Sequence, residues 1–82
     1  MNDALKMLLT APPTQLDPTM VEKLRVLEDK EGDELKVGLH EILDHCARYG
    51  LASTFVMKVI DYEWKDLGGE PDDYAPWRKD MK

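Results

Sequence analysis

Residues 53–67 form the most apolar run in the chain, and the other segments can be interpreted as its packing partners. They read Ser-Thr-Phe-Val-Met-Lys-Val-Ile-Asp-Tyr-Glu-Trp-Lys-Asp-Leu. A strand with one buried face would alternate apolar and polar side chains, but here apolar residues follow one another directly at two places. Val56, Ile60 and Leu67 instead share one helical face. The pattern predicts a helix over residues 53–67, with Ser53 as its N-cap.

The clearest helical pattern in the chain precedes this run, at residues 34–49. Gly50 follows the pattern and suits the left-handed position that ends many helices. Gly38 lies at the edge of the apolar stripe, where the missing side chain would let another helix approach closely. The stripe itself recurs at spacings of four, three, four and three residues, and consists of Leu35, Leu39, Ile42, Cys46 and Tyr49.

Another amphipathic helix is predicted upstream, over residues 18–31. Asp17 and Pro18 form a strong start signal, because a capping carboxylate precedes a proline at the first helical position. Gly32 then either separates this helix from residues 34–49 or bends one long helix. We favour two helices, because acidic residues would otherwise fall on the shared apolar stripe.

The two ends of the chain complete the prediction. A short helix is predicted within residues 1–10, and two turns of helix are marginal unless they dock on the rest of the chain. Residues 68–82 are predicted to be an irregular tail that follows an ordered core of about residues 17–67. The sequence therefore predicts an all-α fold, a small three-helix bundle with a short N-terminal helix and an irregular C-terminal tail, as a single domain over residues 1–82.

The composition predicts a small folded protein with an acidic surface. Of the 82 residues, 43% are hydrophobic and 34% are charged, and the formal net charge is −6. This charge repels nucleic-acid backbones and favours basic partners. Cys46 is the one cysteine, which indicates a reducing, cytoplasmic location. No apolar run approaches the roughly 18 residues of a membrane span, so we expect no membrane partner.

The polar residues of residues 34–49 do not predict a metal site or a catalytic site. His40 with Asp44 and Glu41 with His45 are two pairs of neighbours on a helix, but two ligands do not make a structural zinc site. The first pair is expected opposite the apolar stripe, and His45 at its border. Cys46 is expected in the core rather than as a nucleophile. We therefore expect no cofactor, no metal and no enzymatic activity.

The spacing of residues 46–60 also resembles that of a helix-turn-helix, which makes a DNA-binding protein the alternative hypothesis. The second helix offers Lys58 but no Arg, Asn or Gln to read base edges. It also carries Asp61, Glu63 and Asp66, which are expected outwards or nearby. Nucleic-acid binding is therefore the less favoured function.

The predicted function is a non-enzymatic protein-protein interaction module or a small acidic regulatory protein, with a homodimer as a candidate assembly. Apolar side chains cover more of the helix at residues 53–67 than one partner helix can bury. Glu63 lies within this arc, and if it were buried it would need a lysine, an arginine or a backbone group as its partner, or a place at the rim of the arc. The predicted interaction surface has two alternative flanks, Phe55 with Tyr62 and Met57 with Trp64, and includes Glu63 and two aromatic residues of the tail, Tyr74 and Trp77.

Overall fold

A computed structural model describes residues 1–69 of the chain. Within these residues the protein is all-α and contains no strand. This confirms the predicted small helical bundle with a short N-terminal helix for this part of the chain. The predicted tail from residue 70 onwards lies outside the described residues. The helices are α1 (Asp3–Leu8), α2 (Pro18–Val26), α3 (Gly32–Tyr49) and α4 (Thr54–Asp66).

Three of the helices begin at side-chain caps that satisfy otherwise unpaired backbone N–H groups. The Asn2 side chain accepts a hydrogen bond from the backbone of Leu5 at 3.0 Å. The carboxylate of Asp17 caps α2 by accepting from Thr19 N at 2.8 Å, and the Ser53 hydroxyl caps α4. The caps predicted at positions 17 and 53 are confirmed.

The boundary between α2 and α3 differs from the prediction. The helix predicted over residues 18–31 ends at Val26, and the next one begins at Gly32 rather than at residue 34. The backbone N–H groups of Leu27 and Glu28 bond to carbonyls three residues back, so the helix tightens and stops. Gly32 then takes a positive φ of 60°, which redirects the chain. The chain therefore forms two helices here, not one bent helix.

The turn between α3 and α4 is closed by Gly50, as predicted. Its φ is 63°, and the N–H groups of Gly50 and Leu51 both donate to the carbonyl of Cys46. The connection between α1 and α2 runs beside this turn. Two backbone hydrogen bonds join them, from Asp17 N to Leu51 O at 2.8 Å and from Ser53 N to Gln15 O at 2.7 Å.

All four helices contribute to one apolar core. Helix α4 packs on α3 on one side and on α1 on the other, and α2 packs on α3. Among the helices of residues 1–69, none has both the length and the apolarity of a membrane span. The core consists of Leu5, Leu8, Leu16, Met20, Leu24, Leu35, Leu39, Ile42, Leu43, Cys46, Val56, Met57, Ile60 and Trp64.

Two glycines permit close packing in this core. A Cβ atom at Gly38 would lie 2.5 Å and 2.6 Å from the two methyl carbons of Leu27, so the end of α2 can rest directly on α3. A Cβ atom at Gly69 would overlap the indole ring of Trp64. The role predicted for Gly38 from its place beside the apolar stripe is therefore confirmed.

The contact at Gly38 gives a double-mutant prediction. In a Leu27→Ala background, Gly38→Ala should stabilise the protein by about 1 kcal/mol, because alanine favours helix. In the wild type the new methyl group meets the end of the Leu27 side chain, which must move to admit it, so this gain should be reduced or lost. Chemical denaturation of the four proteins should therefore give a coupling free energy of about 1 kcal/mol. Equal effects of Gly38→Ala in both backgrounds would show that Leu27 does not occupy the space above the glycine.

Candidate functional site

The structure leaves one flank of α4 open and encloses the other. Phe55 and Tyr62 are 69% and 70% exposed. Met57 and Trp64 are instead buried in the core, because α3 covers that side of α4. The ring of Trp64 lies 5.6 Å from that of His40, measured between centroids. The surface predicted at Met57 and Trp64 is therefore wrong, and within residues 1–69 only the Phe55 and Tyr62 flank remains a candidate.

The exposed flank borders an apolar groove between α1 and α4, here called the Phe55 groove. Its volume is about 640 Å³. Met7 is 73% exposed and faces the groove from α1, and Val59 lies half-buried on its α4 side. Exposed apolar surface of this kind is typical of interaction sites. The lining residues are Ala4, Met7, Leu8, Ala11, Pro12, Gln15, Phe55, Val56 and Val59.

A second cavity of about 410 Å³, here called the acidic pocket, lies on the other side of α1, near the C-terminal end of α4. Its carboxylates come from Glu31, Glu63 and Asp66. Apolar side chains from α1, α3 and the end of α4 line it as well. The full lining is Met1, Asn2, Leu5, Glu31, Gly32, Leu35, Glu63, Asp66 and Leu67.

One stripe of α4 connects the two cavities. Phe55 and Val59 border the Phe55 groove, Tyr62 follows three residues later, and Asp66 borders the acidic pocket. Residues at these spacings share a helix face. At about 1.5 Å per residue, the stripe is about 16 Å long. The exposed side of α4 therefore changes from apolar to acidic along its length.

Glu63 is buried at the junction of α1 and α4, with 9% of its surface exposed. The side-chain amide of Asn2 donates a hydrogen bond to its Oε2 atom. The same Asn2 side chain caps α1 through its oxygen. The partner of Glu63 is therefore a side-chain amide, not the lysine, arginine or backbone group that was predicted. Within residues 1–69, its other oxygen, Oε1, accepts no hydrogen bond.

The acidic residues of α4 do not all face outwards as expected. Asp61 is buried, and its Oδ2 atom lies 3.2 Å from the ammonium group of Lys65. Glu63 is buried beside Asn2, and only Asp66 is exposed. Two of the three carboxylates are therefore buried: Asp61 pairs with Lys65 of the same helix, and Glu63 contacts another element.

The polar residues of α3 contact other residues of α3 or the adjacent helix α4. His45 donates from Nδ1 to the carbonyl of Glu41 at 2.9 Å, and Arg48 Nε lies 3.0 Å from Asp44 Oδ1. The expectation that His40 lies opposite the apolar stripe is wrong, because its ring lies against the indole of α4. Among residues 1–69, no three His, Cys, Asp or Glu side chains are grouped so that they could hold a metal ion.

Cys46 is buried in the core, as predicted. Burial is the main cause that raises the pKa of its thiol from 9.0 to about 11, and the charge of Asp17 raises it further. A thiol with this pKa stays protonated near neutral pH and is a poor nucleophile. This chemistry suits a structural cysteine.

No protein-family model matches this chain, and no curated protein or solved structure matches it at a significant level.

The contribution of α1 to both cavities was not predicted from the sequence. Met7 and Asn2 belong to a segment for which the sequence predicted only a short helix that docks on the rest of the chain. The available signal was the position of Met7, which lies off the helix face formed by Leu5, Leu8 and Leu9. The contact between Asn2 and Glu63 spans 61 residues, and no local pattern specifies it.

Removal of the Asn2 side chain should destabilise the protein. Asn2→Ala eliminates the cap of α1 and the hydrogen bond to Glu63, and we expect a loss of about 2–3 kcal/mol in the free energy of unfolding. Asn2→Asp should retain the cap but set a second carboxylate beside Glu63, so this variant should regain stability as the pH falls towards 4. Urea denaturation at several pH values measures both effects. Asp3→Ala is the control, and an equal loss in that variant would contradict this role of Asn2.

The raised pKa of Cys46 gives a pH prediction. Above pH 9 the unfolded chain loses the thiol proton, while the folded chain keeps it until about pH 11. The unfolded state is then favoured, so stability should fall by up to about 3 kcal/mol between these pH values relative to Cys46→Ala. Denaturation of both proteins across this range measures the difference. Parallel pH profiles, or rapid thiol labelling of the native protein, would show that the thiol is accessible to water.

Proposed function

We propose that the protein is a non-enzymatic interaction module, a small acidic regulatory protein that binds a protein partner along the Phe55 groove. The observation that carries this proposal is the set of three large apolar side chains, Met7, Phe55 and Tyr62, that lie on the open side of α1 and α4. Aromatic residues and methionine at the centre of an apolar surface are typical of interface hot spots.

The identity of the partner can be narrowed by charge. The formal net charge of −6 favours a basic surface over another acidic one. A second copy of the chain is the other candidate, because an apolar groove can also bury itself in a symmetric dimer. Cys46, a buried single thiol, suits a reducing compartment such as the cytoplasm.

The alternative function is DNA binding by the α3–α4 hairpin at residues 46–60. The left-handed turn at Gly50 agrees with the spacing of such hairpins. However, the exposed stripe of α4 offers Phe55 and Tyr62 where base-reading polar side chains would be needed. A salt-dependent shift of duplex DNA at low ionic strength would favour this alternative.

Substitutions at the groove should separate binding from folding. We expect Phe55→Ser and Met7→Ser to change the free energy of unfolding by less than about 0.5 kcal/mol, since both side chains are exposed. Phe55→Ser should weaken partner binding by about 2 kcal/mol or more, as a hot-spot residue does. Val26→Ser is the matched control, because Val26 is 69% exposed on α2 and does not line the groove.

Two measurements test this prediction. Sedimentation equilibrium over a wide range of concentration detects a dimer and its loss in Phe55→Ser. A photoreactive residue at position 55, compared with one at position 26, identifies a different partner in cells of the source organism, and the purified partner is then titrated by calorimetry. If Phe55→Ser and Val26→Ser bind the partner or self-associate equally well, the groove is not the interface.

A further inference from the structure

We infer that the acidic pocket receives a lysine or arginine side chain from a basic helical segment of a partner protein, whose apolar residues lie in the Phe55 groove. This inference rests on the proposed function, because it names the chemistry of the partner for the same surface. It begins from Glu63, a residue that is nine-tenths buried and lines the pocket.

The hydrogen bonding of Glu63 is incomplete. Asn2 donates to one carboxylate oxygen, and the second oxygen accepts nothing from residues 1–69. A buried carboxylate with an open oxygen is costly, and a charged donor compensates it best. A guanidinium or ammonium group from outside would supply that donor and the opposite charge.

The walls of the pocket fit a basic side chain better than a bare ion. Glu31 and Asp66 add negative charge, while Leu5, Leu35 and Leu67 provide apolar surface for a methylene stem. Lysine and arginine side chains bury their stems on apolar surface and keep their heads in polar surroundings.

The distance between the two cavities sets the form of the partner. Phe55 and Asp66 are separated by about 16 Å along α4, which equals three turns of helix. An amphipathic helix lying beside α4 could therefore place an apolar residue in the Phe55 groove and a basic residue, about eleven positions away, at the acidic pocket. The net charge of −6 disfavours a second copy in this role.

The test begins with peptides selected from a random displayed library on the wild-type protein and counter-selected on Phe55→Ser. Enriched peptides should contain a lysine or arginine about three helical turns from an apolar residue. Calorimetry should show at least about tenfold weaker binding to Asp66→Asn and to Glu63→Gln, as for loss of a desolvated charge partner. Glu22→Gln, which alters an exposed carboxylate of α2 outside both cavities, should bind like the wild type.

A neutral replacement on the peptide provides the matched change. Citrulline in place of the arginine, or acetyl-lysine in place of the lysine, should weaken binding to the wild type at least as much as either carboxylate substitution does, and should weaken binding to Glu63→Gln and to Asp66→Asn by a smaller factor. Asp66 is exposed, so this variant should fold even if Glu63→Gln is destabilised, and circular dichroism checks both proteins.

The outcomes distinguish the inference from the proposed function. If no peptide depends on Phe55, the interaction function fails and this inference fails with it. If peptides depend on Phe55 but show no basic residue, or bind Asp66→Asn and Glu63→Gln as tightly as the wild type, only the inference about the acidic pocket is overturned.

Discussion

The rest of the fold depends on the backbone hydrogen bonds that join the α1–α2 connection to the α3–α4 turn. Backbone hydrogen bonds join Gln15 and Asp17 to the turn that links α3 and α4. Because this turn is fixed by the left-handed Gly50, the start of α2 is held beside the start of α4. The short helix α1 can then reach only one side of α4, while α3 takes the other.

This arrangement explains why α4 is covered unequally. Helix α3 has 18 residues and encloses the flank with Trp64, but α1 has only six. A helix of six residues covers only the part of α4 that lies directly beside it. The flank with Phe55 and Tyr62 stays open to solvent. The groove is thus a result of unequal helix length on the two sides of one apolar helix. Each side of α4 would need a comparable cover if the chain were to bury the whole arc.

The parts of the structure that were predicted well are those specified by local chemistry. Caps at Asp17 and Ser53, the stop at Gly50 and the regular stripe of α3 depend on residues that are close in sequence. The end of α2 was wrong because the apolar period continues past Val26 while the backbone does not. Helix propensity could not show that the helix ends here and that Leu27 packs against Gly38 of α3.

The candidate site was predicted less completely, for a related reason. The apolar arc of α4 identified both flanks, but the choice between them depends on which helix packs where. The burial of Asp61 and Glu63 shows the same limit, since Lys65 can be found from spacing whereas Asn2 lies 61 residues away from its partner. Local pattern therefore identified α4 as the surface element, and tertiary contacts determined its open face.

The small size of α1 has a thermodynamic consequence for any ligand of this surface. A helix of six residues is not stable alone, and its docking competes with local unfolding. Because α1 forms one wall of both cavities, the binding-competent state exists only while α1 is docked. The apparent dissociation constant is then the intrinsic one divided by the docked fraction. A substitution that changes the stability of α1 would therefore change the apparent affinity, even if the substituted residue makes no contact with the ligand.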